Sequence, residues 1–248
     1  MIAPAPDFDN SIAIFNSFTV FGNFLTKEKD FDTIQVLFAE VERYKEIGHA
    51  EYYAMKSAYC SLIRDEAGLN NCCVNVKAHT SRDDLICFAS QSLIYSGYYS
   101  KAYSLLTESR INWREPGNAE TRMIALCRAN AHKKLEEFLA MLVKCNLKIP
   151  PQVNAMADTL SKARELEISE ASVRNMLDAA GKVTREKGYS FTQKSIDIIG
   201  GSLIISLGIK APPSLVAQME WDYTGEVVEN YPDAPVEKVS IVFFSEEN

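Results

Sequence analysis

The feature that most constrains this chain is a helical apolar pattern that occurs twice, 68 residues apart. Ile86, Ala89, Ser90 and Leu93, then Tyr99, Ala102 and Leu106, stand opposite Phe18, Phe21, Gly22 and Leu25, then Phe31, Ile34 and Phe38. Steps of three and four put each set on one helix face. Gly97 lies between the two sets of the later copy and permits a turn, because a residue without Cβ accepts positive φ. The pattern predicts a helical hairpin in each copy. Ser90 and Ala102 are small where paired helices approach, and Gly22 takes the place of Ser90 in the earlier copy.

Midway, Tyr52, Met55 and Tyr59 keep the first-helix pattern, but GLNNCCVNVKAHTS departs from it. No large apolar residue stands near Cys72, and Lys56 occupies the small-residue place. This copy is therefore expected to be degenerate, with Cys72, Cys73 and His79 in a buried or half-buried loop. Further along, Pro116 precedes NAETRMIALCRANA, and Leu135, Phe138, Leu139 and Leu142 form a stripe. Pro150-Pro151 ends one helix and opens another carrying Val153, Met156, Leu160 and Ala163, since proline is tolerated in a first turn. Ser169 is an N-cap for a helix with Val173, Leu177, Ala180 and Val183, and Gly188 ends it. Residues 10–187 thus hold roughly five helix pairs, each with an apolar face for its neighbour to cover.

The turn Gly97-Tyr98-Tyr99-Ser100-Lys101-Ala102 and the small residues around it resemble the tetratricopeptide repeat, whose period of about 34 residues is half the observed separation. The resemblance implies a mainly α fold, an antiparallel helix-pair (TPR-like) solenoid, with a groove lined by the first helix of each pair. Facing away from the apolar stripe, those helices offer Asn16, Thr19, Asn23, Lys27, Tyr53, Ser57, Gln91 and Tyr95. Their amides, hydroxyls and phenols suit an extended protein or peptide partner. Some family members clamp a peptide carboxylate with Lys, Asn and Arg. Asn23 matches one clamp place, but Thr19, Ala54, Asp84 and Phe88 occupy the others and bring no positive charge, so the clamp is not expected.

After Gly188 the pattern changes. YSFTQKSIDII and SLIISLGIKA flank Gly200-Gly201 and predict a β-hairpin, because a tight primed turn needs positive φ. Pro212-Pro213 opens a helix with Leu215, Met219, Tyr223 and Val227 on one face, and Val239, Ile241 and Phe243 alternate in a last strand. Residues 188–248 therefore form a small C-terminal ββαβ module beside the 10–187 helical domain.

Charge divides the chain at nearly the same place. The net charge is −7. Residues 211–248 carry Glu220, Asp222, Glu226, Glu229, Asp233, Glu237, Glu246 and Glu247 against Lys238 alone, which accounts for the whole excess. Direct nucleic-acid binding by that end is disfavoured, since phosphate requires Lys and Arg. A basic protein partner is allowed, and so is self-association. The acidic start MIAPAPDFDN lacks a signal-peptide pattern, and no apolar run approaches the roughly 20 residues that span a bilayer. A cytoplasmic chain is expected, with its six cysteines acting as small buried hydrophobes.

No local pattern supports chemistry. Cys72-Cys73 with His79 lacks the spacing that points two thiolates at one zinc. Nucleotide loops and nucleophile elbows are absent from the sequence. Cys87 would need His49 or His79 brought to it by folding. No cofactor is implied. The expected function is non-catalytic protein–protein interaction through the groove. The alternatives are an inhibitor or immunity-type protein that neutralises a basic toxin or nuclease through its acidic end, and an enzyme with a dispersed site.

Overall fold

A computed structural model of the chain describes residues 7–19, 22–114, 118–149, 151, 159, 162–163 and 165–247. It is mainly α, with ten α-helices among the described residues and one three-stranded sheet near the C-terminus. The first helices are α1 (Phe8–Thr19) and α2 (Lys27–Glu42), the latter running on into a short 3-10 turn, Arg43–Glu46. Then come α3 (His49–Leu62), α4 (Glu66–His79), α5 (Asp83–Tyr95), α6 (Tyr99–Glu108), α7 (Ala119–Arg128) and α8 (His132–Lys144). These six pack as α3 on α4, α5 on α6 and α7 on α8, and the first members α3, α5 and α7 also pack on one another.

Local chemistry explains the regularity. The turn inside each pair holds one residue at positive φ: Arg64 at 58°, Gly97 at 72° and Asn130 at 56°, a constant step of 33 residues. Side chains cap the helix starts: Asp65 accepts from Gly68 N at 2.9 Å, and Asn118 accepts from Thr121 N at 3.3 Å. Small hydroxyls let α3 and α5 meet closely. Ser57 Oγ donates to Ser92 Oγ at 3.2 Å, Ser61 Oγ donates to Ser92 O at 2.9 Å, and Ser61 and Ser96 share a bond of 2.9 Å. Asp83, at the start of α5, accepts from Asn118 N at 3.0 Å and from Arg122, which ties α5 to α7. Ser90 and Ala102 are both fully buried in the α5–α6 pair.

The C-terminal part comprises α9 (Glu170–Glu186), β1 (Gln193–Ile199), β2 (Ser202–Ile209), α10 (Pro213–Asn230) and β3 (Val239–Ser245). Gly200 and Gly201 both have positive φ and join β1 to β2 as an antiparallel hairpin. β3 runs parallel to β2, so α10 is the crossover between them. Ser169 caps α9, accepting from Ser172 N at 3.4 Å, and Gly188, at φ 87°, follows its end. Leu203, Ile205 and Leu207 point to one side and are buried with Val216, Met219, Tyr223 and Val227 of α10. Val173, Leu177, Ala180 and Val183 of α9 belong to this same core, as does Tyr99 of α6.

Helix α9 fastens the two parts by bonding to successive intra-pair turns. Arg174 donates to Asn130 O at 3.1 Å, and Glu170 accepts from Lys133 N at 2.6 Å. Arg185 donates to Ser96 O at 2.6 Å and Gly97 O at 3.0 Å, and Asp178 accepts from Tyr99 N at 2.6 Å. At each turn an arginine therefore satisfies a carbonyl at the end of one helix, and an acid satisfies an amide at the start of the next. Between those contacts Gly181 lies directly on Gly97.

Four sequence expectations are corrected. Gly22 is not the small residue of a helix: α1 ends at Thr19, and Gly22 has φ 69°. It is small because a Cβ there would lie 2.6 Å from Thr192 Cγ2, where residues 22–24 meet 188–190. Phe31 and Phe38, matched to the buried Tyr99 and Leu106, are 57% and 40% exposed. The stretch with Cys72, Cys73 and His79 is helix α4 rather than a loop, capped by Asp65 and packed along α3. On α10 it is Val216 that is buried, while Leu215 is only partly so. Phe21, Pro116, Pro150, Val153, Met156 and Leu160 lie outside the described residues.

Candidate partner-binding surface

The expected groove residues do not form one continuous surface. Asn16, Thr19, Gln91 and Tyr95 do come together, with Arg128, around a cavity of about 70 Å³. The chain itself closes that region: Tyr95 Oη donates to Asn23 O at 3.1 Å, and Arg128 donates to Gln91 Oε1 at 3.2 Å. Residues 22–24 in turn pair with 188–190, Ser190 N donating to Gly22 O at 2.8 Å. Lys27 is exposed at the start of α2. Tyr53 stacks with His79, 6.4 Å between ring centres. Ser57 has no exposed surface and lies in the α3–α5 contact.

Three shifted titratable groups, Lys194, His132 and Cys87, sit among packing partners. Burial pushes the Lys194 amine down to about 7. Its Nζ lies over the Tyr99 ring and donates to Arg128 O at 3.5 Å. Burial, then the charges of Lys194 and Arg174, push His132 down to about 3, and its Nε2 bonds Asn130 Oδ1 at 2.7 Å. Burial pushes the Cys87 thiol up to about 12. His49 and His79, the bases Cys87 would need, instead stack on each other with centres 5.6 Å apart. No group of three or more metal-binding side chains occurs among the described residues. None of their helices is long and apolar enough to cross a membrane.

One feature without an internal explanation is the outer face of α10. Its inner face buries Val216, Met219, Tyr223 and Val227. At 100° per residue the opposite face carries Ala217, Trp221, Gly225 and Val228. Trp221 is 76% exposed and Val228 69%. Gly225 has nothing within 4 Å of where a Cβ would stand, so no contact inside the molecule requires a glycine there. Acids flank the stripe: Glu220 on one side, Asp222 and Glu229 on the other. Lys187 holds Asp222 at 2.9 Å and Lys182 holds Glu226 at 2.6 Å, while Lys238 donates to Leu166 O at 3.1 Å. Sequence reasoning missed Trp221 and Val228 because it sought the buried stripe of this helix. An exposed stripe shows its meaning only once the inner face is fixed.

Comparison with known proteins found no matching family model, no matching curated protein and no matching solved structure.

Proposed function

We propose that this chain is a non-catalytic protein-interaction protein: a TPR-like solenoid of helix pairs carrying an acidic ββαβ module, whose α10 outer face holds a basic partner. The observation that carries this reading is the exposed Trp221, beside Val228 and the unfilled notch of Gly225, between acidic flanks. A flat aromatic anchor with a shallow hole beside it and a charged rim is the usual anatomy of a binding hot spot. The acidic rim selects a partner rich in Lys and Arg and speeds its encounter. A basic toxin or nuclease would meet that description, which keeps the neutralising role as the more specific form of the proposal. The groove reading has less support, because the chain's own residues crowd the polar side chains it needs, leaving about 70 Å³. An enzyme with a dispersed site is less supported still, since His132 and Cys87 are buried among packing partners.

The test is titration of the full chain with amphipathic helical peptides of identical apolar face, flanked by either Lys/Arg or Glu. The basic peptides are expected to bind and the acidic ones not. Trp221→Ala should weaken binding by about 2 kcal/mol, typical of a hot-spot aromatic. Added salt should weaken it further by screening the acidic rim. Trp221 emission should shift to the blue, with Trp113→Phe removing the second indole. Basic-peptide affinity unchanged by both salt and Trp221→Ala would overturn the proposal.

A further inference from the structure

One of the intra-pair turns carries an unexpected residue. Of the three turn residues at positive φ, Gly97 and Asn130 are of types that reach that conformation readily, whereas Arg64, at 58°, is not. An arginine in that place points to a use for its side chain. Arg64 lines a polar cavity of about 240 Å³ where the α3–α4 turn, the α5–α6 turn and α9 meet. That volume exceeds what one or two waters need and falls just short of a drug-sized site. Arg185 of α9 lines it as well. Both guanidiniums lie over aromatic rings, Arg64 over Phe24 at 5.6 Å and Arg185 over Tyr98 at 3.9 Å. Arg185 bonds through Nη1 to Ser96 O and Gly97 O, and among the described residues no carboxylate forms an ion pair with either guanidinium.

Most other charges of the wall are already engaged. Asp65 Oδ1 accepts from Gly68 N at 2.9 Å, and its Oδ2 lies 3.7 Å from Cys60 Sγ. Glu66 accepts from Lys101 at 3.0 Å, and Lys182 is held by Glu226 at 2.6 Å. Glu186, next to Arg185 in sequence, lines the cavity with no hydrogen bond or ion pair among the described residues. Two guanidiniums and one carboxylate without ion-pair partners therefore share a space whose apolar side is Phe24 and Leu69. We infer that this cavity is a binding site for a free amino acid. Arg64 and Arg185 hold the α-carboxylate through charge-assisted bonds. Glu186 accepts from the α-ammonium, and Phe24 and Leu69 receive an apolar side chain. A simple anion fits less well. The wall sets Asp65, Glu66 and Glu186 against Arg64, Lys182 and Arg185, so an anion meets repulsion as well as attraction, whereas a zwitterion finds a partner for each of its charges.

The experiment melts the full-length chain with each of the common L-amino acids at millimolar concentration, then measures the strongest by calorimetric titration. Apolar amino acids are expected to raise Tm most, because a ligand stabilises the state that binds it. The amide of the best ligand lacks the carboxylate, and its N-acetyl form lacks the ammonium. Each should bind about tenfold more weakly or worse, as loss of a bond to a charged group does. Arg64→Asn should cost the amino acid a similar factor while melting no lower than the parent, since asparagine accepts positive φ more readily than arginine. Glu186→Gln, at an exposed position, should weaken the amino acid but not its N-acetyl form. A chain whose Tm no amino acid raises would overturn the inference. So would an amide or an N-acetyl form that binds as well as the amino acid, or an Arg64→Asn affinity equal to the parent's.

Discussion

Gly181→Ala is expected to lower stability by about 3 kcal/mol, as overpacking against rigid atoms with loss of neighbouring bonds does. The added methyl would lie 2.2 Å from Gly97 O and 2.6 Å from Gly97 Cα. Both obstacles are backbone rather than the end of a flexible side chain, so neither can swing aside. Helix α9 must therefore lift from the α5–α6 turn. Lifting stretches the Arg185 bonds to Ser96 O and Gly97 O and the Asp178 bonds to Tyr99 N and Ser100 N. Asp178 and Arg185 would be left partly buried without partners, which adds a desolvation cost. In a chain of this size 3 kcal/mol corresponds to a fall in Tm of about 6–12 °C. Gly225→Ala gives the contrast within the same protein. Nothing stands near that site, so alanine should stabilise α10 by up to about 1 kcal/mol through helix propensity alone. Thermal melts of both variants check the pair. Equal effects would mean that the Gly97–Gly181 contact does not hold α9 in place.

That contact also marks the limit of what the sequence could disclose. Gly97 was legible as a turn because its role is local: a glycine between two helical stripes has few other uses. Gly181 gave no signal, since an isolated helical glycine does not name the residue it touches 84 positions away. Gly22 shows the same limit from the other side. Its smallness was real, but periodicity assigned it to the nearest pattern, the helix matched with Ser90. The true cause is Thr192, which only the folded chain brings near. Cys72 misled because a helix was expected to need a large apolar residue there. In α4 a pair of buried thiols, with Leu69 and Val76 on either side, fills the same space. The strand and helix grammar after Gly188 was legible, because alternation and four-residue steps are local properties. The outer face of α10 was not, because burial of the opposite face had to be known first. Among the groove residues, Asn16, Thr19, Gln91 and Tyr95 do converge. The arrival of residues 188–190 over that region is a long-range event that no local pattern encodes.

Stability is expected to fall as pH drops from about 6.5 toward 3, with His132 the main single contributor over that window. His132 is 6% exposed, and burial, then the charges of Lys194 and Arg174, hold its pKa down to about 3 in the folded chain. The unfolded chain binds this proton near 6.5. Between the two values the unfolded state holds more protons, so each fall in pH favours unfolding, by at most about 1.4 kcal/mol per pH unit. Asp83 acts lower. Burial alone would raise its pKa, but the bonds from Asn118 N and Arg122 outweigh it, so its stabilisation is lost only as pH falls below the ordinary carboxylate value. Asp178, raised by burial, works in the opposite direction and at higher pH, adding stability as pH falls toward the ordinary carboxylate value. His132→Gln keeps a polar group facing Asn130 and removes the titration. Its urea-denaturation free energy should therefore vary less steeply than the parent's between pH 6 and about 4. Lys194 supplies the matching case on the alkaline side. Its pKa of about 7 lies below the unfolded value, so the penalty of charging it is complete in acid and relaxes as pH rises from 7 toward 10.5. Lys194→Met should consequently gain most over the parent at pH 7 and below, and the gain should shrink in alkali. If the His132→Gln and parent curves run parallel from pH 6 to 4, His132 is reached by water in the folded chain and the packing of α7, α8 and α9 around it is looser than described.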